Sequence, residues 1–311
     1  MKTVIYYFSG TGNTEKVVRE AARSLSTLGW GAEVCAIEQA ENVPETVAAC
    51  DSLCIAYPVH AFNAPASVLR FAEALPAQET EKPLYIFKTS GEPLALNNIS
   101  SYKLRAVLAK KNFVFRGEYH YVMPYNIIFR HSDAMAYRMW ETAKRLIPLD
   151  CADLAAGIEP PEKKFPFGGM LAGIMRVEHW GGRWNGKKYR VEESCVHCMK
   201  CVKTCPTHNI TYEDGKFRFG GDCLMCMRCA SHCPKNAIKI GLFNKWKVNG
   251  AYTFLPPAEE EEERHTRYCK NSYEKYFESA RARVLARGGD FPDELLLPAQ
   301  SEEEDTARAA E

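Results

Sequence analysis

Eight of the thirteen cysteines carry the plainest chemistry in this sequence. Cys195, Cys198, Cys201 and Cys205 recur as Cys223, Cys226, Cys229 and Cys233, each displaced by 28 residues, and Pro206 and Ile210 recur as Pro234 and Ile238. Each half reads C-x-x-C-x-x-C-x-x-x-C-P. Three thiolates at intervals of three let a tight loop wrap a cubane and reach three of its irons. The fourth, on the turn before proline, points across to the other cluster. The spacing therefore assigns Cys195, Cys198, Cys201 and Cys233 to one 4Fe-4S cluster and Cys223, Cys226, Cys229 and Cys205 to a second. A tetrahedral zinc site needs only four thiolates, usually as two separated C-x-x-C pairs. Cys35, Cys50 and Cys54 read as small core residues, while Cys151 and Cys269 receive no role. His197, His208 and His232 lie within or beside the loops, but the ligand set is complete without them.

A second motif stands near the start of the chain. Ser9, Gly10, Thr11, Gly12, Asn13 and Thr14 form a strand-to-helix turn whose backbone N–H groups, hydroxyls and amide suit a phosphate dianion. Glycines 10 and 12 let the backbone come close. The turn is not a dinucleotide fingerprint, because Glu15 replaces the third glycine, and it lacks the G-K-[ST] of a triphosphate loop.

The elements that must hold these motifs follow from hydrophobic periodicity. Strands are expected at residues 3–8, 32–37, 52–57, 84–88 and 113–122, alternating with helices at 15–28, 45–50, 66–75, 104–111 and 134–146. Such alternation implies an α/β fold with a doubly wound, five-stranded parallel sheet over residues 1–150. Residues 151–192 break the pattern with prolines and glycines and read as a linker. Its last part combines Arg176, Arg183, Lys187, Lys188 and Arg190 with Trp180, Trp184 and Tyr189. Two readings stand: a solvated linker whose aromatics pack on a neighbouring domain, or a docking surface for an acidic redox partner. Residues 193–241 hold the cysteine repeat. Residues 242–311 form an extension, with 15 acidic against 8 basic residues from position 258 onward, a possible surface helix at 271–287 and a dispensable acidic end.

The string Tyr7, Phe8, Ser9, Gly10, Thr11, Gly12, Asn13, Thr14, Glu15, Lys16 is similar to the flavodoxin signature, and residues 193–240 resemble the bacterial-type two-cluster ferredoxin, a small α+β domain. End to end, residues 2–250 resemble the fused flavodoxin-ferredoxin family. The resemblance implies flavin mononucleotide (FMN) at the turn, with the ring held by loops at residues 57–65 and 89–92: Tyr57 or Phe62 stacking, with Pro58, Thr89, Ser90 and Gly91 beside it. The second loop has no tyrosine or tryptophan to complete a ring sandwich, and His60 is a candidate edge contact. A flavin stores two electrons whereas each cluster passes one, so the implied function is electron transfer with redox partner proteins. Two alternatives remain: an FMN-dependent reductase of a small acceptor fed by the clusters, and a redox-responsive binding protein with an empty flavodoxin scaffold. No catalytic acid, base or nucleophile stands out.

Composition adds exclusions. A net charge of +1 gives no bulk attraction to nucleic acid or anionic lipid. The short apolar start lacks a secretory h-region, no run is long enough to span a bilayer, and an odd total of cysteines fits a reducing compartment; the expected location is cytoplasmic.

Overall fold

The computed structural model describes residues 1–162, 164–256 and 269–297. Five parallel strands, β1 (Lys2–Tyr7), β2 (Gly31–Ala36), β3 (Ser52–Pro58), β4 (Lys82–Ser90) and β5 (Phe113–Val122), lie in the order β2-β1-β3-β4-β5. The chain reverses its direction of travel between β1 and β3, and ligands of open α/β sheets bind outside the carboxyl ends of the strands at such a point. Central β3 is buried from Ser52 to Tyr57, as coverage by helices on both faces requires, while edge strand β2 alternates between exposed and half-buried positions over Gly31–Val34 and is buried at Ala36. Helices α1 (Asn13–Thr27) and α5 (Asp133–Ala155) cover one face. The other carries α2 (Val43–Ala48), α3 (Ala66–Ala74) and α4 (Tyr102–Ala109).

Helix α5 differs from expectation. It starts on Ser132, whose side chain accepts a hydrogen bond from the Met135 N–H at 3.1 Å, and it runs past the expected stop and through Pro148. An interior proline costs about 3 kcal/mol. The apolar face nevertheless continues through Ala143, Leu146, Ile147, Cys151 and Leu154, all buried, and keeps the helix going. The segment expected as a linker thus begins inside α5 and carries two further helices, α6 (Gly168–Met175) and α7 (Val177–Gly186), before β6 (Arg190–Val191).

The cysteine segment folds as two copies of one unit. Helix α8 (Lys200–Lys203) repeats as α9 (Arg228–Ser231), again 28 residues on. The left-handed residues recur at the same interval: His197 and Met225, Met199 and Met227, His208 and Asn236. Strand β6 pairs with β9 (Ile238–Lys239), and β7 (Ile210–Glu213) forms a hairpin with β8 (Lys216–Phe219).

The expected surface helix is α10 (Lys270–Ala286), and it is docked rather than free. Tyr273, Phe277, Ala280 and Val284 are buried against α5 and the sheet core. Arg283 pairs with Asp150 and, at 2.9 Å, with Asp153; the Tyr273 hydroxyl donates to the Gly91 carbonyl at 2.6 Å. The acidic run at 259–263 and the chain beyond residue 297 lie outside the described residues. Among the described residues no helix is long and apolar enough to cross a membrane. Replacing Phe277 with alanine should destabilise the sheet domain by about 3–5 kcal/mol. Denaturant unfolding followed by far-UV circular dichroism measures this, and an unchanged midpoint would show that α10 is not part of the core.

Candidate functional site

The two cysteine loops present their sulfurs to backbone donors in matching pairs. The His197 N–H donates to Cys195 Sγ at 3.3 Å and the Met225 N–H to Cys223 Sγ at 3.4 Å. Likewise Asn209 donates to Cys205 Sγ and Ala237 to Cys233 Sγ, both at 3.3 Å. The left-handed turns at His197 and Met225 aim these N–H groups inward, where they stabilise negative sulfur. Burial pushes the Cys226 thiol up to about 12 and raises Cys201, Cys223 and Cys229 as well. Thiolates there need a bound cationic centre to offset desolvation. Among the described residues no three His, Cys, Asp or Glu side chains are gathered for a single metal ion. The donor set, soft sulfurs with N–H partners in two equivalent loops, fits iron–sulfur clusters.

The second loop sits directly on the turn after β1. A Cβ on Gly10 would lie 2.1 Å from the Cys226 carbonyl oxygen, so only glycine allows this approach. Arg228, two residues on, donates to the Ser9 carbonyl at 2.6 Å and to the Thr204 carbonyl at 3.1 Å, and pairs with Glu38. Leu224 and Cys226 pack on the sheet core, Arg70 forks onto Asp222 at 3.1 and 3.2 Å, and Gly186 leaves room for Cys223. Of the glycines expected to mark a linker, Gly182 and Gly186 serve this packing against the second cysteine loop, while Gly169 and Gly181 face open space.

Between the turn and the cysteine loop lies a cavity of about 550 Å³, within the usual range of ligand pockets. Ser9, Gly10, Thr11, Asn13, Thr14, Pro58, Phe62, Thr89, Ser90 and Gly91 line it, as does His60. Gly12 stands just behind as the left-handed residue that opens α1, with φ 101°. Tyr57 does not reach the cavity. It is wholly buried in the core of the opposite face, 3.4 Å from the Ser100 hydroxyl, because its side chain alternates away from the strand end. The cavity also takes Tyr125, Phe243 and Trp246, together with Met225, Cys226 and Met227 from the second cysteine loop. Tyr125 was findable, since it follows β5 at the same edge of the sheet; nothing in the sequence pointed to Phe243 or Trp246.

Hydrogen bonds sort the polar lining. The Ser9 hydroxyl accepts from the Gly12 N–H at 3.1 Å, the Asn13 amide donates to the Pro124 carbonyl at 2.8 Å, and the Thr14 and Thr89 hydroxyls pair at 2.8 Å. These side chains shape the turn. The Thr11 hydroxyl oxygen alone in the turn is buried without a hydrogen-bond partner among the described residues. It joins the first-turn N–H groups of α1, which have no intrahelical acceptor. Among the described residues no lysine or arginine lines the cavity, and the carboxylate of its lining, Glu92, belongs to the loop after β4. The donors present fit a phosphate held by neutral groups and a helix N-terminus.

Opposite, the loop after β4 is locked. The Ser90 hydroxyl meets the Glu92 carbonyl at 2.6 Å and His120 Nε2 at 2.7 Å. Tyr125 lies against Gly91, where a Cβ would come within 2.4 Å of its ring. The Tyr125 N–H donates to His131 Nδ1 at 3.3 Å, so the ring hydrogen stands on Nε2, 3.1 Å from the Tyr273 hydroxyl that in turn donates to Gly91. Burial, with His179 nearby, pushes the His60 pKa down to about 4, which keeps that ring neutral at physiological pH.

Residues 194–237 match the family model of the 4Fe-4S dicluster domain. No curated protein matches the chain. Solved structures similar to the first half include a short-chain flavodoxin associated with a non-canonical PDU bacterial microcompartment, at 17% identity and TM-score 0.39, covering 51% of this chain and 99% of that one. A flavodoxin of Streptococcus pneumonia TIGR4 shares 15% identity at TM-score 0.38, covering 50% of this chain and 99% of its own. Oxidised Flavodoxin 1 from Bacillus cereus shares 13% at TM-score 0.39, covering 50% and 98%. The fold of the first half rests on its strand order and register rather than on these scores.

Replacing Gly10 with alanine should push the second cysteine loop off the sheet domain. Hydrogen exchange should then rise in both residues 9–14 and residues 222–228 while the first cysteine loop stays protected; unaltered exchange would contradict the contact. A 4Fe-4S dicluster segment is thus fused behind a flavodoxin-like sheet, and the chain has the architecture of an electron-transfer protein.

Proposed function

We propose that the chain holds two 4Fe-4S clusters and FMN, and passes electrons among them and to redox partner proteins. One observation carries this reading: a single cavity is lined by the phosphate-type turn at residues 9–14 and by Met225, Cys226 and Met227 of the second cysteine loop. The expected ligand sets are Cys195, Cys198, Cys201 and Cys233 for one cluster and Cys223, Cys226, Cys229 and Cys205 for the other. When bound, the flavin would supply two-electron storage and the clusters one-electron exchange.

The chain's own residues bind, orient and shield. Thr11 and the first N–H groups of α1 would hold the phosphate, and Phe62, Tyr125 and Trp246 offer aromatic surface to a ring. Consecutive left-handed residues Ala61 and Phe62, at φ 41° and 63°, turn the latter toward the cavity, and the antiparallel bridge between His60 and Asn63 closes that turn. Pro124, Ile127, Met225, Met227 and Phe243 supply apolar walls that exclude water. The cavity is walled by both halves, so redox partners meet the cysteine segment more readily than the buried floor of the sheet domain.

Anaerobically purified protein should contain about eight iron, eight sulfide and one FMN per chain. Zinc near two with no sulfide would overturn the cluster assignment. Replacing Thr11 with valine removes a charge-assisted hydrogen bond worth about 1.5–3 kcal/mol and should weaken FMN about 10- to 100-fold, leaving riboflavin unchanged. Equal losses for both flavins would remove the phosphate from this turn. Crossed ligation predicts that Cys205→Ala damages the cluster of the second loop and Cys233→Ala that of the first. Site-resolved spectroscopy that placed each lesion in its own half would reverse the assignment.

A further inference from the structure

Helices α6 and α7 are built inside out. Their large apolar residues Phe167, Met170, Ile174, Val177, Trp180 and Trp184 recur every three or four positions, and each is between 58 and 82% exposed. Within each helix this is the spacing of one face. The residues turned inward are small or polar: Gly168, Ala172, Gly182, Asn185 and Gly186 are buried. The inward choice has a structural cause. Gly168 meets Tyr102, Gly186 meets Cys223, and the Asn185 amide donates to the Ile240 carbonyl at 2.9 Å while its oxygen accepts from the Leu242 N–H, also at 2.9 Å. Close packing against the cysteine segment does not require six large apolar side chains on the outside. A helix pair stabilised by its own folding would carry polar residues there.

We propose that this outward ridge docks the protein on an anionic lipid surface. The six side chains stand on two successive helices that meet at Arg176, and large apolar residues exposed in this way suit a bilayer interface. Its composition is interfacial, with aromatic and aliphatic side chains in line and basic ones alongside. Residues 165–191 contain five basic residues, Arg176, Arg183, Lys187, Lys188 and Arg190, against Glu178 alone; Arg183 pairs with Asp222 at 3.5 Å, so the outward excess rests on the other four. Lys188 lies over the Trp184 ring with its ammonium 3.2 Å from the centroid, so aromatic and cationic groups reach the same level. The near-neutral charge of the whole chain makes this local excess the attractive patch. The helices would lie along the surface, with the cysteine segment held beside it. This inference stands apart from the flavin assignment.

Vesicle flotation of the full holoprotein tests it, comparing phosphatidylcholine alone with phosphatidylcholine containing about one third phosphatidylglycerol. The protein should float with the anionic vesicles, less so as salt rises, and hardly at all with the neutral ones. The exposed double variant Ile174→Ser/Trp184→Ser should bind at least about 100-fold more weakly with its cluster absorption unchanged. Charge reversal at Lys187 and Lys188 should weaken binding and flatten the salt dependence. Absence of flotation, or flotation indifferent to both variants, overturns the proposal. A concentration-dependent dimer or a complex with an acidic carrier protein, lost in the double variant and seen without vesicle binding, overturns it in favour of a protein occupant.

Discussion

The meeting of the Cys226 carbonyl with the backbone at Gly10 fixes the rest of the arrangement. The sheet domain and the cysteine segment touch at a point where one extra carbon would collide at 2.1 Å, and Arg228 ties the contact by reaching from the cysteine loop to the turn after β1 and to Glu38. Arg228 and Glu38 are both largely buried, so the pair resists screening more than a surface ion pair does. Breaking it would leave an unpaired charge in the seam. The cavity exists because this seam is closed on one side and held open by the loops after β3, β4 and β5 on the other.

Much of this was legible in the sequence, for identifiable reasons. The cysteine repeat survives translation into structure almost term by term, since ligand spacing is local and the left-handed turns at His197 and Met225 follow from it. Strand β5 begins and ends where periodicity places it, and the turn at residues 9–14 opens α1 as a phosphate-type turn should. What the sequence concealed depends on contacts distant along the chain. Tyr57 shares the loop composition of a ring contact, but the alternation of β3 sends it into the core. Asn13 and Thr14 have phosphate-binding side chains that the fold spends on Pro124 and Thr89. Phe243 and Trp246 reach the cavity only because β9 carries the chain back across the seam.

The boundary regions teach a related lesson about composition. Prolines and glycines from residue 151 onward suggested a loose connector. Cys151 and Leu154 instead continue the buried face of α5, and glycines 168, 182 and 186 are sites of close approach within helices. The docking of α10 has a similar effect at the other end of the chain. Tyr273 extends the core to the carbonyl of Gly91 and so holds one wall of the cavity from a segment more than 180 residues away.

The proposed FMN and second cluster would exchange electrons inside one chain, across the cavity between the turn at residues 9–14 and the second cysteine loop. The most direct measurement is the rate at which electrons placed rapidly on the clusters of the anaerobic holoprotein appear on its flavin, followed by absorption at several protein concentrations. The structure predicts a first-order rate that does not change with concentration. A rate proportional to protein concentration would mean that electrons cross between molecules, and would contradict the shared cavity as the route.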